Sequence, residues 1–217
     1  MSGVISRYKT GTLTRMDISK VSLNNQYQVN ISGMTADLEL YLREFYSLPN
    51  NYSTGKDIGI MCSDASLPTS SFATAEVKDN FQGINQQFAH SRLYVDSDFT
   101  FYVDNNYNTL KFFEGWMDYV AGDDNFKPVD KGDNHNYYRR FNYPMGGDGK
   151  IGYKSDNLVI TKFERSVGIS TATVPSEISY KFINAFPKGM TSMPVQYGNA
   201  DLLKVNVQFA YDRYIVL

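Results

Sequence analysis

Hydrophobic and polar residues alternate almost strictly near the end of the chain. Leu203, Val205, Val207, Phe209 and Tyr211 share one parity, and Lys204, Asn206, Gln208, Ala210 and Asp212 the other. Successive side chains of a β-strand point to opposite faces, so this pattern predicts a strand with one dry face that a second layer must cover. Each large side chain buried there contributes roughly 1.5–3 kcal/mol. The alternation returns at Tyr27, Val29 and Ile31, at Phe99, Phe101 and Val103, and at Ile178, Tyr180 and Phe182. Gln28, Asn30, Thr100, Ser179 and Lys181 face the other way. The chain is therefore expected to be mainly β, with a function set by what its sheets enclose or join.

Two segments carry helical spacing instead. In Met34–Ser47 the apolar residues Leu38, Tyr41, Leu42 and Phe45 recur every three or four positions, which predicts an amphipathic helix inserted after the first strand. Thr35 or Asp37 is the candidate cap, and Pro49 with Asn50-Asn51 the stop. At Asp98–Val103 a strand runs through Asp104-Asn105-Asn106 into a helix with Tyr107, Leu110, Phe113, Met117 and Val120 along one stripe. The triplet offers oxygens to the free N–H groups of the first turn, Gly122 is placed to end the helix, and the stripe is expected to lie on one sheet.

Between these helices a strand is expected at Asp57–Ala65, broken by Leu67-Pro68, with extended chain again at Ser70-Ser71 and Ala73–Lys78. Phe81, Gln82, Gly83, Ile84, Asn85, Gln86, Gln87 and Phe88 follow as an exposed hairpin or long loop. A polar, Gly-rich stretch covers 123–156, strands resume at Leu158–Arg165 and Glu177–Phe186, and a loop with Pro187, Gly189, Pro194 and Gly198 precedes the last strand.

The 217 residues suffice for one large domain, or an ordinary one with insertions, and the latter is expected. Hydrophobic residues at 42% supply a core and charged residues at 20% a wet surface, which argues against disorder. Seventeen Tyr stand against one Trp; tyrosine suits half-buried sheet faces and interfaces, where the ring packs and the hydroxyl finds a partner. A single cysteine, Cys62, excludes an intrachain disulfide framework and reads as a small filler in a strand. The start, Met-Ser-Gly-Val-Ile-Ser-Arg, lacks the apolar core of a secretory leader, and no apolar run is long enough to span a bilayer, so a cytoplasmic origin is expected. The net charge of −2 is unevenly spread: residues 34–124 hold 5 basic and 14 acidic groups, while 1–33 and 125–165 each carry a balance of +3. Complementary faces meeting across a subunit contact would use such a distribution. No dense Lys/Arg stripe favours tight binding to a phosphate backbone.

Catalytic chemistry finds no constellation. His90 and His135 lie far apart in surface-like surroundings, and Gly149-Lys150 lacks the flanking residues of a phosphate loop. Asp96 and Asp98 share a strand end, where carboxylates are usually solvated, and Asn51-Tyr52-Ser53 has no meaning as a glycan acceptor in a cytoplasmic chain. No enzyme activity, metal or cofactor is expected.

The order of strand, kinked extended segment, hairpin, strand Phe99–Val103 and helix Tyr107–Val120 resembles the tail tube subunit of contractile-tailed bacteriophages. Asn25–Ile31 resembles that family's first strand, and Tyr180–Pro187 and Val205–Asp212 its last two. The resemblance spans about Asn24 to Tyr214. It implies one domain over 1–217, built of two packed antiparallel sheets flanked by a helix, with an insertion at about 34–56 and a long loop at about 123–156. It also implies a virion structural protein whose copies form hexameric rings that stack into a tube, closing a β-barrel through which phage DNA passes. Tail sheath, baseplate and terminator proteins are the implied partners, with assembly in the host cytoplasm and no membrane insertion. Open sheet edges invite such pairing, and a ring removes them. The acidic middle of the chain is a candidate for the lumen wall. Phe81–Phe88 is the expected interlocking hairpin, and Tyr214, Ile215, Val216 and Leu217 a terminal contact. The fold is shared by baseplate tube initiators and type VI secretion tubes. A competing function class is a carbohydrate- or receptor-binding sandwich using Tyr137, Tyr138, Phe141 and Tyr143.

Overall fold

The computed structural model describes residues 24–78, 83–122, 141–144, 152–163, 177–191, 193–195, 197–198 and 201–217. Within them the alternating segments form strands: β1 (Tyr27–Ser32), β2 (Cys62–Ala65), β3 (Ser70–Val77), β4 (Gln86–Tyr94), β5 (Ser97–Tyr102), β6 (Asn157–Phe163), β7 (Glu177–Ile183), β8 (Phe186–Met190), β9 (Lys204–Ala210) and β10 (Arg213–Val216). Helices α1 (Ala36–Tyr46), α2 (Asn50–Ser53) and α3 (Lys56–Ile60) lie between β1 and β2, and α4 (Asn108–Ala121) follows β5. The strands make two four-stranded antiparallel sheets, ordered β1-β6-β7-β10 and β2-β5-β9-β8, and a separate two-stranded hairpin, β3-β4.

The alternation predicts the core well. Val29, Ile31, Phe99, Phe101, Val205, Val207 and Phe209 are buried, as is Phe182, although Ile178 on the same parity is open to solvent. Phe99 meets Phe182 edge-on at 6.0 Å and so ties the two sheets together. Helix α4 covers the same layer, with Phe113 tilted on Phe101 at 4.8 Å and Trp116 against Phe209 at 6.1 Å. The Trp116 indole N–H donates to the Tyr153 carbonyl at 2.7 Å, so its one polar atom is satisfied.

Helix α1 begins as expected: Thr35 Oγ1 accepts from the Leu38 N–H at 3.3 Å. Other expectations need correction. Leu110, Met117 and Val120 are only half-buried, whereas Phe112, Phe113, Trp116 and Tyr119 are fully or nearly enclosed. The reason is a second partner: α1 packs on α4 from another side, through Tyr41–Tyr119 ring contact and a Tyr119 hydroxyl bond to Asp37. Gly115 permits the approach, since a Cβ there would lie 2.7 Å from Leu42. Only Asp104 of the Asp-Asn-Asn triplet caps α4, accepting from the Thr109 N–H at 3.1 Å, while Gly122 ends the helix in the left-handed region.

Asp57–Ile60 is helix, not strand. Ile58, Ile60 and Cys62 imitate a two-residue period, but in α3 Ile58 is fully buried and Ile60 is 78% exposed. Helix α1 does end before Pro49, with Ser47 in the left-handed region, but Asn50 and Asn51 then open a second short helix, α2. Pro187 and Gly189 belong to strand β8, not a loop; a register shift between them accommodates the proline at a sheet edge. His90 lies in strand β4 and is exposed, while His135, Gly149-Lys150 and most of 123–156 lie outside the described residues.

Candidate assembly surface

Hairpin β3-β4 stands apart from the two sheets. Nearly every residue of β4 is exposed, and β3 is covered only in part at Ser70 and Ala73. Its register shifts between Ala73 and Thr74, with Ala73 opposite Ser91 and Thr74 opposite Ala89, leaving His90 as the extra bulged residue. The pleat gathers Ala73, Ala75, Val77, Phe88 and Leu93 on one face. Phe88 is 53% exposed and Leu93 50%, and Phe72 on the opposite face is 63% exposed. An isolated two-stranded hairpin is marginal in water, and one that presents apolar side chains on both faces is built to be covered.

Of the expected interface segments, Gly83–Phe88 forms the tip of this arm and the start of β4, with Ile84 91% exposed; Phe81 and Gln82 lie outside the described residues. Tyr214–Leu217 forms β10 and its end, held to β7 by pairing and by the Leu217 N–H to the Ser179 carbonyl at 2.8 Å. Ile215 and Val216 are partly open and Leu217 is 70% exposed. Among the described residues, no hydrogen bond or ring contact joins the two segments. The terminal strand touches the arm's base, where the Tyr94 and Tyr214 rings stand edge-on at 5.6 Å. Arg92, Tyr94, Phe72 and Leu93 carry no sequence signal of their own, because none breaks the pattern of an ordinary strand; they are surface because, among the described residues, no third strand joins the hairpin.

The sheet edges are unequal. The Phe163 N–H donates to the Gln26 carbonyl, so in β1 the even residues address β6 and the odd residues Tyr27, Val29 and Ile31 point their backbone groups outward. Helix α3 lies over that outward edge: a Cβ at Gly55 would come within 2.5 Å of the Ile31 carbonyl oxygen, and one at Gly59 would collide with that of Val29. The two glycines, one helical turn apart, were the readable signal of this close packing. Sheet β1-β6-β7-β10 is thereby closed along β1 to another strand.

The open face of the other sheet is polar. Asp98, Thr100 and Tyr102 of β5 share it with Lys204, Asn206 and Gln208 of β9. The Asn206 amide donates to Thr100 at 3.3 Å, and Lys204 sits over the Tyr102 ring at 5.1 Å. At one corner Lys188 pairs with Asp96 at 2.6 Å. At another, the Tyr27 hydroxyl donates to the Cys62 carbonyl at 3.3 Å, and burial pushes both the Tyr27 hydroxyl and the Cys62 thiol up to about 12. Among the described residues no His, Cys, Asp and Glu cluster is placed to hold a metal, and no helix is long and apolar enough to cross a membrane.

Residues 22–217 match the sequence model of a family described as phage tail tube protein. No curated protein matches the chain. Among solved structures, the fold is similar to a chain of the sheath/tube terminator of the extracellular contractile injection system PVC, at 13% identity, covering 93% of this chain and 99% of that one, with a TM-score of 0.50. It is similar also to a chain of the anti-feeding prophage cap, described as a tube terminating cap, at 13% identity, covering 95% and 99%, again at 0.50.

Proposed function

The chain belongs to the phage tail tube protein family, a structural family, and from that premise we propose that its copies form six-membered rings that stack into a hollow tail tube carrying phage DNA to the host. The observation that carries this reading is the β3-β4 arm, whose exposed apolar residues have no cover within the described chain. Residues 1–217 act as one tube-type unit. The arm, with Gly83–Phe88 at its tip, lies against a neighbouring copy, and Tyr214–Leu217 supplies a terminal contact.

Because α3 occupies the outward edge of β1, the wall is built from the sheet β2-β5-β9-β8. Six such sheets close a barrel of roughly 24 strands, far beyond the ~8 whose side chains fill the interior, and so leave a channel. The face turned to that channel carries Asp64 and Asp98 among neutral Thr100, Asn206 and Gln208, with Lys204 engaged on Tyr102. A near-neutral, slightly acidic wall lets phosphates slide past without holding them. Sheath, baseplate and terminator proteins bind the outside and the ends.

Electron microscopy of the purified protein tests the proposal. Hollow rings or tubes of uniform width support it; monodisperse monomers at high concentration overturn it.

A further inference from the structure

The arm joins the body through one cluster at its base. Arg92 of β4 donates from Nε to Ser70 Oγ at 3.0 Å and from Nη2 to the Tyr214 hydroxyl at 3.1 Å, and the Ser70 and Tyr214 oxygens lie 3.2 Å apart. The same guanidinium stands 5.3 Å from the ring centroids of both Tyr94 and Tyr214. Tyr214 continues to Tyr180 at 6.0 Å, while Tyr94 meets Tyr211, which packs edge-on against the fully buried Phe182 at 4.8 Å. The Tyr211 hydroxyl also donates to the Val95 carbonyl at 2.6 Å, just past the arm's last residue. One planar, forked cation thus joins both arm strands to β10, and an aromatic chain carries the joint into the core.

We infer that Arg92 and Tyr214 form a latch that fixes the direction of the β3-β4 arm before assembly, and that this preset angle governs how fast copies join. The inference rests on the tube reading. β4 is nine residues long. At roughly 3.3 Å per residue the arm reaches about 26 Å, so a swing of about 15° at its base carries the tip about 7 Å, more than the ~4.8 Å between paired strands. An unlatched arm therefore samples positions out of register with any neighbour, and ordering it on contact slows association. Exposed side chains account for the arm's need of a partner; the latch accounts for its aim.

The test uses full-length protein in a Cys62→Ser background, spin-labelled at Gln87→Cys on the arm and Asn51→Cys on the body, with distances read by pulsed EPR below the polymerising concentration. Unlabelled protein of each latch genotype is followed in parallel by light scattering. The unaltered latch is expected to give a narrow distance distribution; Arg92→Ala at least doubles its width and slows polymer growth at least fivefold, and Arg92→Lys does not restore either. Tyr214→Phe, which keeps the ring and removes only the hydroxyl, falls between, and it decides the matter if Arg92→Ala disturbs folding. Unchanged width in the variants overturns the latch, and so does a broadened distribution with unchanged growth. Failure of the unaltered protein to polymerise overturns the tube reading instead, while the distance widths still report on the latch itself.

Discussion

Gly59 lies directly over Val29, so close that a single methyl group on the glycine would collide with the Val29 carbonyl oxygen. That contact seals the outward edge of β1 with a helix, and an edge so covered cannot pair with another strand. Gly59→Ala is expected to lower stability by about 1–3 kcal/mol, the usual cost of overpacking where backbone cannot yield. Urea unfolding measures it, and an unchanged midpoint would show that α3 is not seated against β1.

Helix α4 offers a sharper comparison between sequence pattern and packing. Phe112 is fully buried although it lies off the stripe marked by Leu110, Phe113, Met117 and Val120. Phe112→Ala is expected to cost about 3–5 kcal/mol, and Leu110→Ala, at a half-buried position, much less. Thermal unfolding of the two variants settles the order; equal losses would contradict the packing of α1 on α4.

Alkaline pH acts through the corner where Tyr27 meets Cys62. Burial raises the folded thiol from its ordinary 9.0 to about 12, and the Tyr27 hydroxyl from 10.0 to about 12. A folded value above the unfolded one gives stability that is complete below about pH 9 and is lost as pH climbs toward 12, because the unfolded chain ionises first. The melting temperature is expected to fall across that window, and to fall less steeply in Cys62→Ala. Identical pH profiles for the two proteins would count against the assignment.

The arm separates assembly from stability. Phe88 is exposed in the single chain, so Phe88→Asp is expected to change unfolding free energy by no more than about 0.5 kcal/mol. Polymer formation, followed by sedimentation, is expected to be abolished. A variant that pellets like the parent protein would remove Phe88 from the contact.

Sequence disclosed the strands that carry Val29, Phe101 and Val207, because a half-buried sheet writes its two faces directly into a period of two. It disclosed α1 through Thr35 and the Leu38–Leu42 spacing, and the resemblance placed the chain in its family. It misread Asp57–Ile60, where Ile58 and Ile60 alternate as a strand would and outweigh the helical spacing of Gly55 and Gly59, the glycines that seat α3 on β1. Phe112 and Tyr119 were missed because a helix covered from two sides has no single stripe. Arg92 and Tyr94 looked ordinary for a similar reason: their significance lies in contacts with Tyr214, 122 and 120 positions further on.

Cryo-electron microscopy of the polymer at side-chain resolution shows which sheet lines the tube. The expected result is a hollow tube whose wall is the sheet β2-β5-β9-β8 of successive copies, with Asp98 and Gln208 facing the channel and Phe88 and Leu93 buried against a neighbour. A tube lined by the sheet β1-β6-β7-β10, with α3 displaced from β1 or the arm left in solvent, would contradict it.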